Sequence, residues 1–215
     1  MEYLPNVEWI ILLIVAFIGI LRLQKLSPPF KLLIVSVTIS FILCVLSIIV
    51  SLRYKNNAAV LQIVCISEYV FYSLIYYYLF KNKIIKKAIL LSILIISIAF
   101  LMNAVFFQSF LKVFPTNINI PAQILLAVFS LLLFKEMLLH PLKINIIKQG
   151  IFWYNTAILF FSTTMFVFLS LSNYLASRNL NDDFKWYFWY LIVDIFHLLL
   201  GVAILTDNNT LKDAW

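Results

Sequence analysis

Long apolar runs, each separated from the next by a short polar break, constrain this sequence of 215 residues more than any other feature. A helix needs about 20 mostly apolar residues to cross the hydrocarbon core of a bilayer. The runs are continuous rather than alternating, which favours helices over a membrane β-barrel. We therefore predict an all-α, polytopic membrane protein, with residues 1–215 forming one seven-transmembrane-helix bundle. The predicted spans are 8–23, 31–52, 59–80, 87–107, 119–139, 151–172 and 186–206.

The composition leaves no room for a second, soluble domain. Hydrophobic residues make up 64% of the chain and charged residues 12%, against roughly half and about one quarter in soluble domains. No stretch is polar enough to fold in water as a kinase, nuclease or DNA-binding domain. The net charge of +7 is therefore interpreted as an orienting signal in the membrane, and no nucleic-acid partner is expected.

Basic residues between the runs predict the direction of the chain, because the cytoplasmic side of a membrane protein is enriched in Lys and Arg. One side receives Arg22, Lys25, Lys31, Lys81, Lys83, Lys86, Lys87, Lys135, Lys143, Lys148 and Lys212. The other side receives Arg53, Lys55, Lys112, Arg178 and Lys185. The split predicts an outside N-terminus and an inside C-terminus. Acidic Glu2 and Glu8, with no small-residue cleavage site after them, predict that the first run is retained as a helix.

Three ionisable residues fall near the middle of the predicted spans, where a charge costs about 2.5–3.5 kcal/mol. Glu68 lies in the third span, and Asp194 and His197 lie in the seventh. The two spans run in the same direction, so Glu68 and Asp194 have matched depths. Asp194 and His197 are three residues apart and share a helix face. A carboxylate beside an imidazole can share a proton or bind a polar ligand.

Uncharged polar residues extend this group toward the outside. We predict an outward-opening polar cavity, and the candidate ligand-binding residues are Glu68, Asn103, Gln123, Thr163, Asp194 and His197. A structural interpretation stays open beside it. Ser and Thr often bond the carbonyls of their own helix, Asn and Gln can bond neighbouring helices, and the ionisable residues can form a packing bridge.

The sequence lacks the residues that several known classes of protein need for their chemistry. A retinal protein needs a lysine in the seventh span, and 186–206 has none. A zinc hydrolase needs about three protein ligands, but His140 and His197 are the only histidines. Gly19, Gly150 and Gly201 are too scattered for a nucleotide-binding loop. Cys44 and Cys65 lie in apolar runs and favour core packing. We predict no catalytic group, no metal site and no cofactor.

The sixth and seventh spans carry a short motif. The sixth begins with Phe152-Trp153-Tyr154-Asn155 and ends near Ser172-Asn173-Tyr174-Leu175, and the seventh has its polar pair in mid-helix. This layout resembles a group of small bacterial seven-helix membrane proteins, some of them encoded near sensor histidine kinases. The resemblance implies a multi-pass protein of the bacterial inner membrane with a role in envelope sensing. It implies no catalytic residue.

The sequence favours a receptor-like signalling protein that binds a small or lipid-like ligand. Its short loops would require a cytoplasmic or membrane partner, such as a histidine kinase. The alternative is a small-solute transporter that uses the mid-membrane acids. A structural subunit of a membrane complex and a lipid-modifying enzyme, with Glu68, Asp194 and His197 as acid–base groups, are weaker alternatives.

Overall fold

The fold consists of packed helices. A computed structural model describes residues 7–139, 145–177 and 184–207, which form helices and connections and no strands. This confirms the all-α prediction. Parts of two predicted connections lie outside the described residues: 140–144, between the fifth and sixth predicted spans, and 178–183, between the sixth and seventh.

Seven α-helices follow one another along the described part of the chain. They are α1 (Glu8–Leu21), α2 (Pro28–Tyr54), α3 (Ala58–Leu79), α4 (Lys83–Met102, continued by a π-helical turn Asn103–Phe107), α5 (Thr116–Leu139), α6 (Gly150–Ser177) and α7 (Phe184–Thr206). Local signals set several ends. Proline occupies the start of α2, where no backbone donor is needed. The Asn82 side chain accepts a hydrogen bond from the Ile84 amide at the start of α4.

Six of these helices, α2 to α7, are long and apolar enough to cross a membrane. The chain is therefore a multi-pass membrane protein. The first helix differs from the predicted span at 8–23. It has 14 residues and rises about 21 Å, whereas the hydrocarbon core is about 30 Å thick. By itself α1 reaches only part of the way across.

The helices form a ring with one member outside it. Around the ring α1 packs on α2, α2 on α3, α3 on α5, α5 on α6, α6 on α7, and α7 on α1. The fourth helix lies outside, against α3 and α5. Accordingly, 22% of the most apolar stretch of α4 is buried, whereas 33% or more is buried in each of the other five candidate membrane spans.

At one end of the ring, hydrogen bonds join α7 to the connection between α1 and α2. We call this group, formed by Arg22, Ser27, Gly150 and Asp207, the Asp207 junction. The Asp207 carboxylate accepts a hydrogen bond of 2.8 Å from the Ser27 amide. The Arg22 guanidinium donates to the carbonyls of Leu205 at 2.5 Å and Asp207 at 3.1 Å. Burial raises the pKa of the Asp207 carboxyl, against the opposing effects of the Ser27 bond and the Arg22 charge.

The first residue of α6 completes the junction because it is a glycine. A Cβ atom at Gly150 would lie 2.7 Å from the Ala203 carbonyl oxygen and 2.8 Å from the Asp207 Cβ atom. These neighbours are backbone or close to it, so they cannot move aside cheaply. The start of α6 can approach the end of α7 this closely only without a side chain.

We expect Gly150→Ala to lower the free energy of unfolding by about 1–3 kcal/mol, the usual cost of overpacking. Gly201→Ala is the matched control, because its Cβ atom would meet only the tip of the Val15 side chain at 3.1 Å. Thermal unfolding of both variants in detergent measures the difference. Equal losses of stability would contradict a special role for the junction.

Candidate functional site

Three acidic side chains lie on three helices of the ring, and one of them, Glu8, is near each of the other two. They are Glu8, the first residue of α1, Glu68 on α3 and Asp194 on α7, all half-buried. Glu8 lies close enough to both of the others for electrostatic repulsion between the charged forms. We call Glu8, Glu68 and Asp194 the acidic cluster.

The register of the helices explains why these residues meet. Arg22 and Asp207 lie at the same level because they are hydrogen bonded. Glu8 lies 14 residues before Arg22, and Asp194 lies 13 before Asp207, so both are about 20 Å from the junction. Glu68 and Asp194 are each the eleventh residue of their helix. One level in the middle of the bundle therefore contains all three acids.

Three buried polar atoms at this level lack a hydrogen bond. One oxygen of Asp194, Oδ1, is buried without a hydrogen bond, and so are both imidazole nitrogens of His197. His197 is 3% exposed and lies one turn beyond Asp194. The carbonyl of Val193 is on the preceding turn, but no bond of acceptable geometry reaches it. No ion pair joins the acidic cluster to a basic side chain in the part of the chain that the structure describes.

Neighbouring side chains extend the cluster into α2 and along α3. Cys44 is close to Glu8, and Cys65 and Tyr72 are close to Glu68. The Tyr72 hydroxyl faces Ser36, whose own oxygen is buried and has no hydrogen bond that meets geometric criteria. Together these groups offer carboxylate, thiol and hydroxyl atoms to a bound molecule.

Between the acidic cluster and the Asp207 junction, by contrast, a hydrogen-bonded network joins three helices, although the buried Ser73 hydroxyl has no hydrogen bond. The Tyr76 hydroxyl donates to Asn155 Oδ1 at 2.8 Å, and Asn155 Nδ2 donates to the Ser130 carbonyl at 3.0 Å. Ser130 Oγ donates back to the Asn155 carbonyl at 2.9 Å. The Tyr154 hydroxyl donates to the Tyr72 carbonyl at 3.1 Å. These bonds lock α3, α5 and α6 together and close this half of the ring.

The remaining predicted site residues lie elsewhere. Asn103 is buried at the π-helical turn of α4 and donates to Gln108. Gln123 donates to Asn119, which donates in turn to Cys65, so it reaches the cluster only through other residues. Thr163 is exposed on the outer face of α6 and bonds the carbonyl of Leu159 in its own helix. The structure therefore places Glu68 and Asp194 each near Glu8, with His197 one turn from Asp194, and places Thr163 outside the ring.

The connection between α4 and α5 covers the end of the ring opposite the junction. Gln62 on α3 is fully buried, and its Nε2 atom lies within hydrogen-bond distance of the carbonyls of Ser109, Phe110 and Val113. Two surface depressions in the described part of the chain lie at this connection, along 104–111 and beside Asn103. Among the predicted ligand-binding residues, Asn103 lines the second depression, and no residue of the acidic cluster lines either of the two.

Within the described ranges, no group of three or more His, Cys, Asp or Glu side chains has the geometry to hold a metal ion. Comparison with protein-family models, with curated proteins and with solved structures finds no match. What the site can do must therefore be argued from its geometry.

Glu8 is the cluster member that sequence reasoning missed. Its position as the first residue of the predicted span 8–23, beside acidic Glu2, assigned it to an exterior N-terminus. One signal could have located Glu8, namely that the first apolar run is too short to cross the whole membrane. If the far end of this run reaches the opposite membrane surface, its first residue, Glu8, has to lie below the near surface.

We expect Asn155→Ala to lower the free energy of unfolding by about 1–2 kcal/mol, since it removes two side-chain hydrogen bonds inside the membrane. Tyr76→Phe should lower the free energy of unfolding about half as much, because it removes one of the two hydrogen bonds. Thr163→Val is the matched control and should change little, because the hydroxyl bonds only its own helix. Unfolding in detergent provides the comparison, and a similar loss in all three variants would count against the network.

Proposed function

We propose that the protein is a receptor-like sensor of the bacterial inner membrane. Its seven helices form one membrane bundle, with the N-terminus outside and the C-terminus inside. The placement of the described basic residues supports this direction. Nine of them lie at the end that contains the Asp207 junction: Arg22, Lys25, Lys31, Lys81, Lys83, Lys86, Lys87, Lys135 and Lys148.

The observation that carries the proposal is that α1 connects two polar sites. Its first residue, Glu8, belongs to the acidic cluster, and Arg22, just beyond its last residue, belongs to the Asp207 junction. A helix is stiff along its axis, so a displacement of Glu8 is transmitted to Arg22. Binding at mid-membrane can thereby change the arrangement at the cytoplasmic end.

The chemistry of the cluster indicates what it binds. Three carboxylates without a basic partner in the described chain favour a ligand that brings a positive charge or hydrogen-bond donors. The unpaired oxygen of Asp194 and nitrogens of His197 add acceptor and donor capacity. A small amine, or a lipid-like molecule with such a group, fits these requirements.

Transmission beyond the membrane requires a partner. The described connections at the cytoplasmic end are short, as in the three-residue helical turns Leu23–Lys25 and Ile146–Lys148. The resemblance to proteins encoded near sensor histidine kinases makes such a kinase, or another membrane effector, the proposed partner.

The coupling is tested by neutralising the cluster and probing the junction. With Cys44 and Cys65 replaced by Ser, Lys25→Cys places one thiol in the turn that follows Arg22. We expect Glu8→Gln to change the labelling rate of this thiol several-fold in membrane vesicles, because loss of the repulsion with Glu68 and Asp194 lets α1 shift.

Glu136→Gln is the matched control, since it removes a carboxylate from α5 outside the cluster. It should leave the labelling rate at residue 25 unchanged. If Glu8→Gln also leaves the rate unchanged, then α1 does not transmit the state of the cluster, and the sensor proposal loses its main support.

A small-solute transporter is the second candidate, favoured by the equal depth of Glu68 and Asp194 on two helices that run in the same direction. If it is correct, proteoliposomes should take up labelled methylamine, and Asp194→Asn should abolish that uptake. Thr163→Val should retain it. Uptake equal to that of empty vesicles would favour the sensor over a transporter of small amines.

A further inference from the structure

A positively charged surface lies where α3 meets α4, apart from the acidic cluster. Lys83, Lys86 and Lys87 lie three and four residues apart and therefore share one face of the first turns of α4. We call these three residues the lysine patch. No Asp or Glu occurs between Glu68 and Glu136, so no acid nearby in the sequence neutralises them.

The patch lies at the depth of lipid headgroups. Lys83 begins a candidate membrane span, and α3 ends beside it with tyrosines, which are enriched at membrane interfaces. The Lys86 ammonium lies 5.2 Å from the centroid of the Tyr77 ring, a cation–π distance that restrains this side chain. Lys83 and Lys87 are exposed.

An apolar stripe runs along α4 from the patch into the membrane. Leu91, Leu94 and Ile98 follow Lys87 at helical spacing, and all three are exposed. From Lys87 to Ile98 the helix rises about 16 Å, which is half the thickness of the hydrocarbon core. Because α4 lies outside the ring, no other described helix covers this stripe.

We propose that the lysine patch and the α4 stripe form a binding site for one anionic phospholipid of the cytoplasmic leaflet. The ammonium groups bind the negative headgroup, and an acyl chain lies against Leu91, Leu94 and Ile98. Free phosphate would use only the patch, whereas the continuous stripe fits a lipid. None of the acidic-cluster residues takes part, so the lipid site and the sensor function can fail independently.

The test uses the full chain in detergent, with bound lipids counted by native mass spectrometry. Phosphatidylglycerol is titrated against phosphatidylcholine that has the same acyl chains. The variant K83Q/K86Q/K87Q should weaken phosphatidylglycerol binding on the order of one hundredfold, since each lysine near a membrane surface contributes about fivefold. Phosphatidylcholine binding should be weaker in the wild type and unaffected by the variant.

The control K25Q/K135Q/K148Q removes the same charge from three exposed lysines at the same end of the bundle. It should weaken binding less than about fivefold. An equal loss in the control would overturn the site in favour of diffuse attraction. Equal affinity for the two lipids, or displacement of phosphatidylglycerol by inorganic phosphate, would also overturn it.

Folding of the triple variant is checked by size-exclusion chromatography and helical circular dichroism. If it does not fold, Lys83→Gln and Lys87→Gln are measured singly, each with an expected loss of about fivefold. Unchanged phosphatidylglycerol binding in both single variants would overturn the proposal.

Discussion

The hydrogen bonds of the Asp207 junction set the register on which the rest of the structure depends. With Arg22 bonded to the end of α7, the length of α1 decides where Glu8 lies, and that is the level of Asp194. A shift of one turn, about 5.4 Å, would remove Glu8 from the other two acids. The close approach of Gly150 to Asp207 fixes α6 to the same level. A polar contact at the membrane surface thus determines which polar groups meet at its centre.

The polar groups around Asn155 differ in their hydrogen bonding from those around Asp194 and His197. At Asn155 both ends of the side-chain amide are hydrogen bonded, the oxygen to Tyr76 and the nitrogen to the backbone of Ser130. Around Asp194 and His197 buried atoms have no hydrogen bonds. In lipid an unpaired polar atom is costly. The hydrogen-bonded groups around Asn155 therefore stabilise the fold, and the unpaired groups around Asp194 and His197 destabilise it. Unpaired buried groups in native proteins call for an explanation, and the ligand-binding role proposed above is one such explanation.

Sequence alone predicted the helices because continuous apolar runs are a strong signal. It predicted the matched depth of Glu68 and Asp194 because both lie at the middle of their runs. It could not show which way a side chain faces. A membrane helix is apolar on all sides, so the pattern along α6 does not separate the buried Ser162 from the exposed Thr163. It also did not place Glu8 near the other two acids, because that depends on the register of α1 with α7.

The packing of α1 is suited to small displacements. A Cβ atom at Gly19 would meet the side chain of Ile34 on α2, and one at Gly201 would meet Val15, so both contacts of α1 are close and apolar. Arg22, just after the last residue of α1, donates hydrogen bonds to the end of α7. Sliding along α2 and α7 therefore breaks few directed bonds, whereas any shift of α6 against α3 and α5 would break the Asn155 network. If one helix of the ring moves when the charge at the acidic cluster changes, we expect it to be α1, because its displacement breaks fewer hydrogen bonds than a displacement of α6.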